Sequence, residues 1–148
     1  MSNTSILIAD DDQVVLTMIS TVLQDAGYNV TEATNGPDAV ELGFEVKPDL
    51  AVLDICMPGM DGIETLREIK SLKPLTEVIM LTGHATVETA IEGMKLGALD
   101  YLMKPCETDE LVDKINMAYQ RKSDQEERIR EAKVREIVSS PRSVLKDE

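Results

Sequence analysis

The chain has 148 residues, enough for one domain with a full core and too few for two ordinary ones. With 43% hydrophobic and 29% charged residues, no apolar run of bilayer length and no basic-then-apolar leader, it reads as a cytoplasmic globular protein without a membrane span. A net charge of −13 argues against direct nucleic-acid binding, which needs a basic face.

The charge is unevenly spread. Residues 1–120 carry 7 Lys and Arg against 21 Asp and Glu, whereas residues 121–148 carry 8 against 7. The shift falls near Tyr119 and predicts a domain over 1–120 followed by a charged helical tail or linker over 121–148, disordered at its end. Cys56 and Cys106 stand far apart, in no metal-ligand spacing, and are expected to be reduced thiols.

Ser5-Ile6-Leu7-Ile8-Ala9 predicts a buried strand that stops at Asp10-Asp11-Asp12. Val14, Val15, Met18, Ile19, Val22 and Leu23 recur at helical spacing, with Gly27 as the stop. A second strand over 28–33 turns at Asn35-Gly36-Pro37 into a helix carrying Ala39, Val40, Leu42 and Phe44. Leu50-Ala51-Val52-Leu53 is an unbroken apolar run, as for a strand buried on both faces of a parallel sheet, and it ends at Asp54. Pro58-Gly59 forces a turn, and Gly62 releases the chain into a third helix with Ile63, Leu66 and Ile69, ending before Pro74.

Val78-Ile79-Met80-Leu81 predicts a fourth strand ending at Thr82-Gly83-His84, and Val87, Ala90, Ile91 and Met94 a fourth helix stopped by Gly97. Leu99-Asp100-Tyr101-Leu102-Met103 is a fifth strand, ending at Lys104-Pro105. Thr108 is the expected N-cap of a fifth helix with a core stripe of Leu111, Val112, Ile115, Ala118 and Tyr119. Met18, Met80, Met94 and Met117 are expected to pack in the core. Five strand–helix alternations predict a parallel sheet covered on both faces.

Asp10, Asp11, Asp54, Thr82 and Lys104 then fall at the C-terminal ends of strands, which share one edge of a doubly wound sheet. Taken singly, Asp54 reads as an ordinary cap or turn aspartate. Together they raise an electrostatic problem, since two like charges 4 Å apart repel by about 4 kcal/mol at an effective dielectric of 20. Either a carboxyl keeps its proton or a cation neutralises the cluster. Oxygen-only ligands suit Mg²⁺, and a carboxylate beside Mg²⁺ can attack phosphorus to form an acyl phosphate. Lys104 would neutralise one phosphoryl oxygen and the Thr82 hydroxyl would donate to another.

Asp10-Asp11, Leu53-Asp54-Ile55-Cys56-Met57-Pro58-Gly59-Met60-Asp61-Gly62, Leu81-Thr82-Gly83-His84 and Asp100-Tyr101-Leu102-Met103-Lys104-Pro105 together resemble the receiver domain of two-component response regulators. The resemblance covers residues 5 to about 120. It implies a flavodoxin-like α/β fold with five parallel strands in the order 2-1-3-4-5, and phosphoryl transfer to Asp54 from a histidine kinase or phosphotransfer protein. It also implies Mg²⁺ held by Asp10, Asp11, Asp54 and the Cys56 carbonyl, and Lys104 paired with the phosphoryl group across a cis bond to Pro105. Thr82 would move toward the phosphoryl group and Tyr101 turn inward with it. Cys56 and His84 would flank the route of the attacking water and tune the phosphoryl lifetime, although His84 reads equally well as an exposed loop imidazole. Such a protein catalyses only its own phosphorylation and dephosphorylation. It switches binding to a downstream protein target, as a monomer or a phosphorylation-dependent dimer.

Three other readings compete. Asp10-Asp11-Asp12-Gln13-Val14 fits the Asp-x-Asp-x-Val signature of haloacid-dehalogenase-type phosphatases, with Asp10 as nucleophile, but leaves the Asp54 loop unexplained and no room for a cap. A flavin or nucleotide module is disfavoured by an acidic first loop and the absence of G-x-G-x-x-G and G-x-x-x-x-G-K-[ST]. A receiver fragment of a longer transcriptional regulator is the third.

In the tail, 120–128 contains no apolar residue, which weakens a coiled-coil reading. Asp124/Arg128, Glu126/Arg130 and Glu131/Arg135 at i,i+4 favour a solvated helix to about Val138, a docking handle or an inert linker, ended by Ser139-Ser140-Pro141.

Overall fold

The computed structural model describes residues 4–57, 59–83, 87–104 and 107–139. The expectations for Pro58, His84, Pro105 with its cis bond, Cys106 and the chain from Ser140 onward lie outside these residues. Within them the chain alternates β1 (Ser5–Ala9), α1 (Gln13–Asp25), β2 (Asn29–Ala33), α2 (Gly36–Val46), β3 (Leu50–Asp54), α3 (Gly62–Leu72), β4 (Glu77–Thr82), α4 (Val87–Lys95), β5 (Asp100–Met103) and α5 (Thr108–Ser139). The strands form one sheet in the order β2-β1-β3-β4-β5, and every neighbouring pair is parallel. This is the flavodoxin-like arrangement that the resemblance implies.

Strand alternation builds two cores. Ile6, Ile8, Val52, Ile79 and Leu81 face Leu16, Ile19 and Leu23 of α1 and Leu111, Ile115 and Ala118 of α5. Leu7, Ala51, Leu53, Val78 and Met80 face Ala39 of α2 and Ile63, Leu66 and Ile69 of α3. β3 and β4 are buried from end to end, so their apolar runs are continuous rather than alternating with polar residues.

Local chemistry sets the helix ends. The Asp12 carboxylate caps α1 by accepting from the Val14 and Val15 N–H groups, and Asn35 and Asp61 cap α2 and α3. At the end of α1, Gly27 takes φ +98° while the Tyr28 N–H donates to the Leu23 carbonyl and the Gly27 N–H to Gln24. That is the Schellman pattern expected of a glycine stop. At α5 the Leu111 N–H donates to the Glu107 carbonyl at 3.1 Å, so the cap falls at Glu107, and Thr108 is the first helical residue.

The helix faces need correction. Met80 is core, but Met18, Met94 and Met117 are 50%, 45% and 65% exposed. Val14 and Phe44 also point to solvent. The buried line of α1 is Leu16–Ile19–Leu23, which lies on the other side of the helix from Val14 and Met18. In the tail, Glu131–Arg135 stands at 4.0 Å as expected, but Glu126 pairs with Lys122 at 2.6 Å, Arg130 with Glu127 at 2.9 Å, and Asp124 accepts from Gln120. Arg121 also reaches Glu77 at the start of β4, and Lys122 reaches Asp49 just before β3, so two ion pairs cross residue 120. No helix among the described residues is long and apolar enough to cross a membrane.

Candidate functional site

Because all five strands run the same way, their C-terminal ends share one edge of the sheet. Asp10 follows β1, Asp54 closes β3, Thr82 closes β4 and Lys104 follows β5. The Lys104 N–H donates to the Thr82 carbonyl at 2.7 Å, which fixes where the lysine side chain departs. Asp10 and Asp54 are buried, at 0% and 4% exposure, whereas Asp11 is exposed. One carboxylate oxygen from each of the three lies within 4.8 Å of the others.

A single cation serves the buried pair. The Lys104 ammonium is 2.6 Å from Asp10 Oδ2 and 3.4 Å from Asp54 Oδ2. Asp10 Oδ1 accepts the Asp12 N–H at 2.9 Å, and Asp54 Oδ1 accepts the Cys56 N–H at 3.4 Å. Asp10 Oδ2 is sealed from solvent, and among the described residues the Lys104 ammonium at 2.6 Å is its one polar contact.

Burial, reinforced by the Asp10 charge, pushes the Asp54 carboxyl up from 3.8 to about 6, although Lys104 and the Cys56 N–H oppose the shift. For Lys104, burial pulls the ammonium down, but its hydrogen bond with Asp10 and the nearby Asp54 charge outweigh this and raise it. The cluster therefore lacks positive charge. An all-oxygen donor set with an under-satisfied buried carboxylate oxygen fits a hard divalent cation.

The loop after Asp54 has little room to adjust. The Gly62 N–H donates to the Ile55 carbonyl at 2.8 Å. A Cβ on Gly62 would meet the Asp54 carbonyl and lie 2.6 Å from Ile55 Cα, so only glycine lets α3 start this close to β3. Gly36, at the start of α2, braces the same loop, where a Cβ would lie 2.7 Å from both Met60 Cβ and Thr65 Oγ1. The sequence marks Gly36 only as a turn residue; its contact with Met60 comes from the way α2 and α3 pack.

The remaining expected site residues lie around this centre. Thr82 is buried, and Tyr101 is 41% exposed, its ring turned outward. A narrow crevice lined by Ile55, Thr82, Ala90, Met94 and Tyr101 lies between them. Cys56 is an exposed free thiol two residues after Asp54.

The family described as response regulator receiver domain matches residues 6–116. The transcriptional regulatory protein ZraR of Escherichia coli (strain K12) is 46% identical over 109 residues, which cover 74% of this chain and 25% of that protein. Regulatory protein AtoC of the same strain is 44% identical over 106 residues, 72% of this chain and 23% of that one. A response regulator receiver domain protein (CheY-like) from Methanospirillum hungatei JF-1 superposes with a TM-score of 0.82 at 31% identity, covering 83% of this chain and 98% of that one. NtrX from Brucella abortus gives a TM-score of 0.80 at 30% identity, covering 84% of this chain and 29% of that one. The chain thus spans about a quarter of the length of the curated relatives it matches.

Proposed function

The chain belongs to the response regulator receiver family, a phosphoacceptor domain that generally binds Mg²⁺ in an acidic pocket, and from that premise we propose that Asp54 is its phosphoacceptor. Asp10, Asp11, Asp54 and the Cys56 carbonyl are the ligands assigned to Mg²⁺. When bound, the ion supplies charge neutralisation for the phosphoryl oxygens and for the carboxylates around them. An Asp54 carboxylate oxygen attacks phosphorus, forming the O–P bond as the P–N bond to the donor histidine breaks. Lys104 moves its ammonium from the carboxylate pair to a phosphoryl oxygen, and the Thr82 hydroxyl donates to another.

A receiver domain implies a histidine kinase partner, and a phosphotransfer protein offers the same donor chemistry. Tyr101 follows Thr82 inward and changes the face that a downstream protein target reads. The monomer or a phosphorylation-dependent dimer is the signalling form, and the only reaction catalysed is the domain's own phosphorylation and dephosphorylation. His84 and Cys56 flank the water that ends the signal, so His84→Ala or Cys56→Ala changes the dephosphorylation rate severalfold. The receiver occupies 1–120, and the charged segment 121–148, helical as far as Ser139, serves as a docking handle.

The observation that carries this reading is the placement of Asp54 at the end of β3, with Asp10, Asp11 and Lys104 converging on it. Incubation with a small phosphodonor and Mg²⁺ should give an alkali-labile phosphorylated species by intact mass, absent from Asp54→Asn. Label on Asp10 that survives Asp54→Asn would replace this reading with the dehalogenase-type phosphatase. Relatives of which the aligned segment is only about a quarter favour a second reading of the context, in which the same site is the receiver part of a longer transcriptional regulator.

A further inference from the structure

The end of the domain opposite Asp54 is where β3 and β4 begin and where α2 and α3 finish. It carries a surface that phosphoryl chemistry does not use. Phe44, Val46, Leu72 and Leu75 are 58%, 39%, 44% and 41% exposed there. A groove of about 250 Å³ runs between Lys47, Leu72, Lys73 and Leu75, and the Lys73 ammonium sits 5.5 Å from the centre of the Phe44 ring.

The charge here runs against the rest of the domain. Lys47 and Lys73 are two of only 7 cations in residues 1–120, against 21 carboxylates. Neither has an ion-pair partner among the described residues. Lys122 also lines the groove, but Asp49 and Glu126 match its charge. Lys47 is held at φ 54°, ψ 60°, a left-handed conformation at the end of α2 that glycine adopts without strain. A cation near a helix C-terminus is favourable, but this benefit is available from a right-handed position in the last turn. The chain keeps a lysine where the backbone favours a glycine.

We propose that this surface docks an acidic amphipathic helix of a protein partner, its apolar side chains against Phe44, Leu72 and Leu75 and its carboxylates against Lys47 and Lys73. Charge complementarity selects this occupant. An acidic segment is repelled by most of a chain of net charge −13, and this patch combines unpaired cations with apolar anchors. A two-fold contact between copies of this chain would set each patch's lysines against the other's, so a second copy fits poorly. The inference stands independently of the phosphoryl-transfer reading.

The test titrates the full 148-residue chain, isotopically labelled for NMR, with a synthetic helical peptide bearing leucines on one face and glutamates on the other. Its control carries lysines in place of the glutamates. Saturable binding of the glutamate peptide is expected, weakened by salt, with shifts centred on Phe44, Leu72, Lys73 and Leu75. Phe44→Ser and Lys73→Glu should each weaken it about tenfold and leave uptake of phosphate by Asp54 unchanged. Lys47→Gly should lower affinity with no loss of thermal stability, a combination that a purely structural lysine would not give. No binding, equal binding of the lysine peptide, shifts centred elsewhere, or full affinity in Lys47→Gly would overturn the proposal. Binding of the chain to phosphatidylglycerol vesicles in a Phe44-dependent manner would also overturn it, in favour of a lipid surface.

Discussion

Replacing Asp54 with asparagine should stabilise the divalent-free protein, and the gain should depend on pH. The Asp54 carboxyl is raised from 3.8 to about 6, so the folded state binds this proton more tightly than the unfolded chain does. The stability linked to that proton is fully present below 3.8 and is lost as pH rises through about 6. A displacement of roughly 2 units, at about 1.4 kcal/mol per unit, makes the loss at most about 3 kcal/mol. The Asp54 side chain is 6% exposed, so solvent screens little of it. Asparagine does not ionise and escapes the loss. Urea denaturation in chelator should therefore find Asp54→Asn about 2–3 kcal/mol more stable than the parent near pH 8, with the difference closing near pH 4. Adding Mg²⁺ should narrow the gap from the other side, because a cation among three carboxylates stabilises the parent more than the variant. Parallel pH–stability curves for the two proteins in chelator would refute the reasoning.

Three further outcomes follow from the geometry. Gly62→Ala places a Cβ 2.6 Å from Ile55 Cα and should cost about 2–4 kcal/mol in urea denaturation while slowing phosphoryl uptake, because the backbone that must move carries Asp54. Thr82→Val should keep the fold and phosphoryl uptake on Asp54 but abolish the phosphorylation-dependent shift of the Tyr101 resonances; a full shift in that variant would break the proposed coupling. Arg121→Ala combined with Lys122→Ala removes the ion pairs to Glu77 and Asp49, and should speed amide exchange along α5 beyond Tyr119 at a global cost of about 1 kcal/mol.

The strands and the site were legible in the sequence for the same reason. A strand buried on both faces is a short apolar run, and in a parallel sheet its polar terminator lies on the shared edge, so Leu50-Ala51-Val52-Leu53 followed by Asp54 gives both element and position. The helix faces were less legible. In α1, Val14 and Met18 make as good a helical pair as Leu16 and Ile19, and the choice rests with Ile6 and Ile8 in the sheet, which meet the second line. In α2 the buried line is Gly36, Ala39 and Gly43, and Phe44, one residue off that line, turns outward. Hydropathy reads Phe44 as core, whereas the face on which α2 packs makes it surface. The ion pairs of α5 were missed similarly, since spacing offered Glu126 a partner at Arg130 while Lys122, already drawn toward Asp49, was closer to it.

The acidic cluster does not act as a stabilising device. One lysine faces two buried carboxylates, one of which is displaced toward neutrality, and the desolvation of buried charges offsets much of even a well-matched pair's attraction. A loss of up to about 3 kcal/mol is a large share of the roughly 5–15 kcal/mol that holds an ordinary domain together. The loop cannot relieve it by retreating, because Gly62 sits against the Asp54 backbone and Gly36 against Met60. The cluster is thus pre-assembled in a strained electrostatic state. A cation that removes the repulsion gains that free energy without needing to reorganise the backbone. The same argument explains why Lys104 stands closer to Asp10 than to Asp54. With its ammonium drawn toward Asp10, one Asp54 oxygen is left, among the described residues, with only the long Cys56 hydrogen bond, and under the proposed function it is the oxygen freest to attack phosphorus.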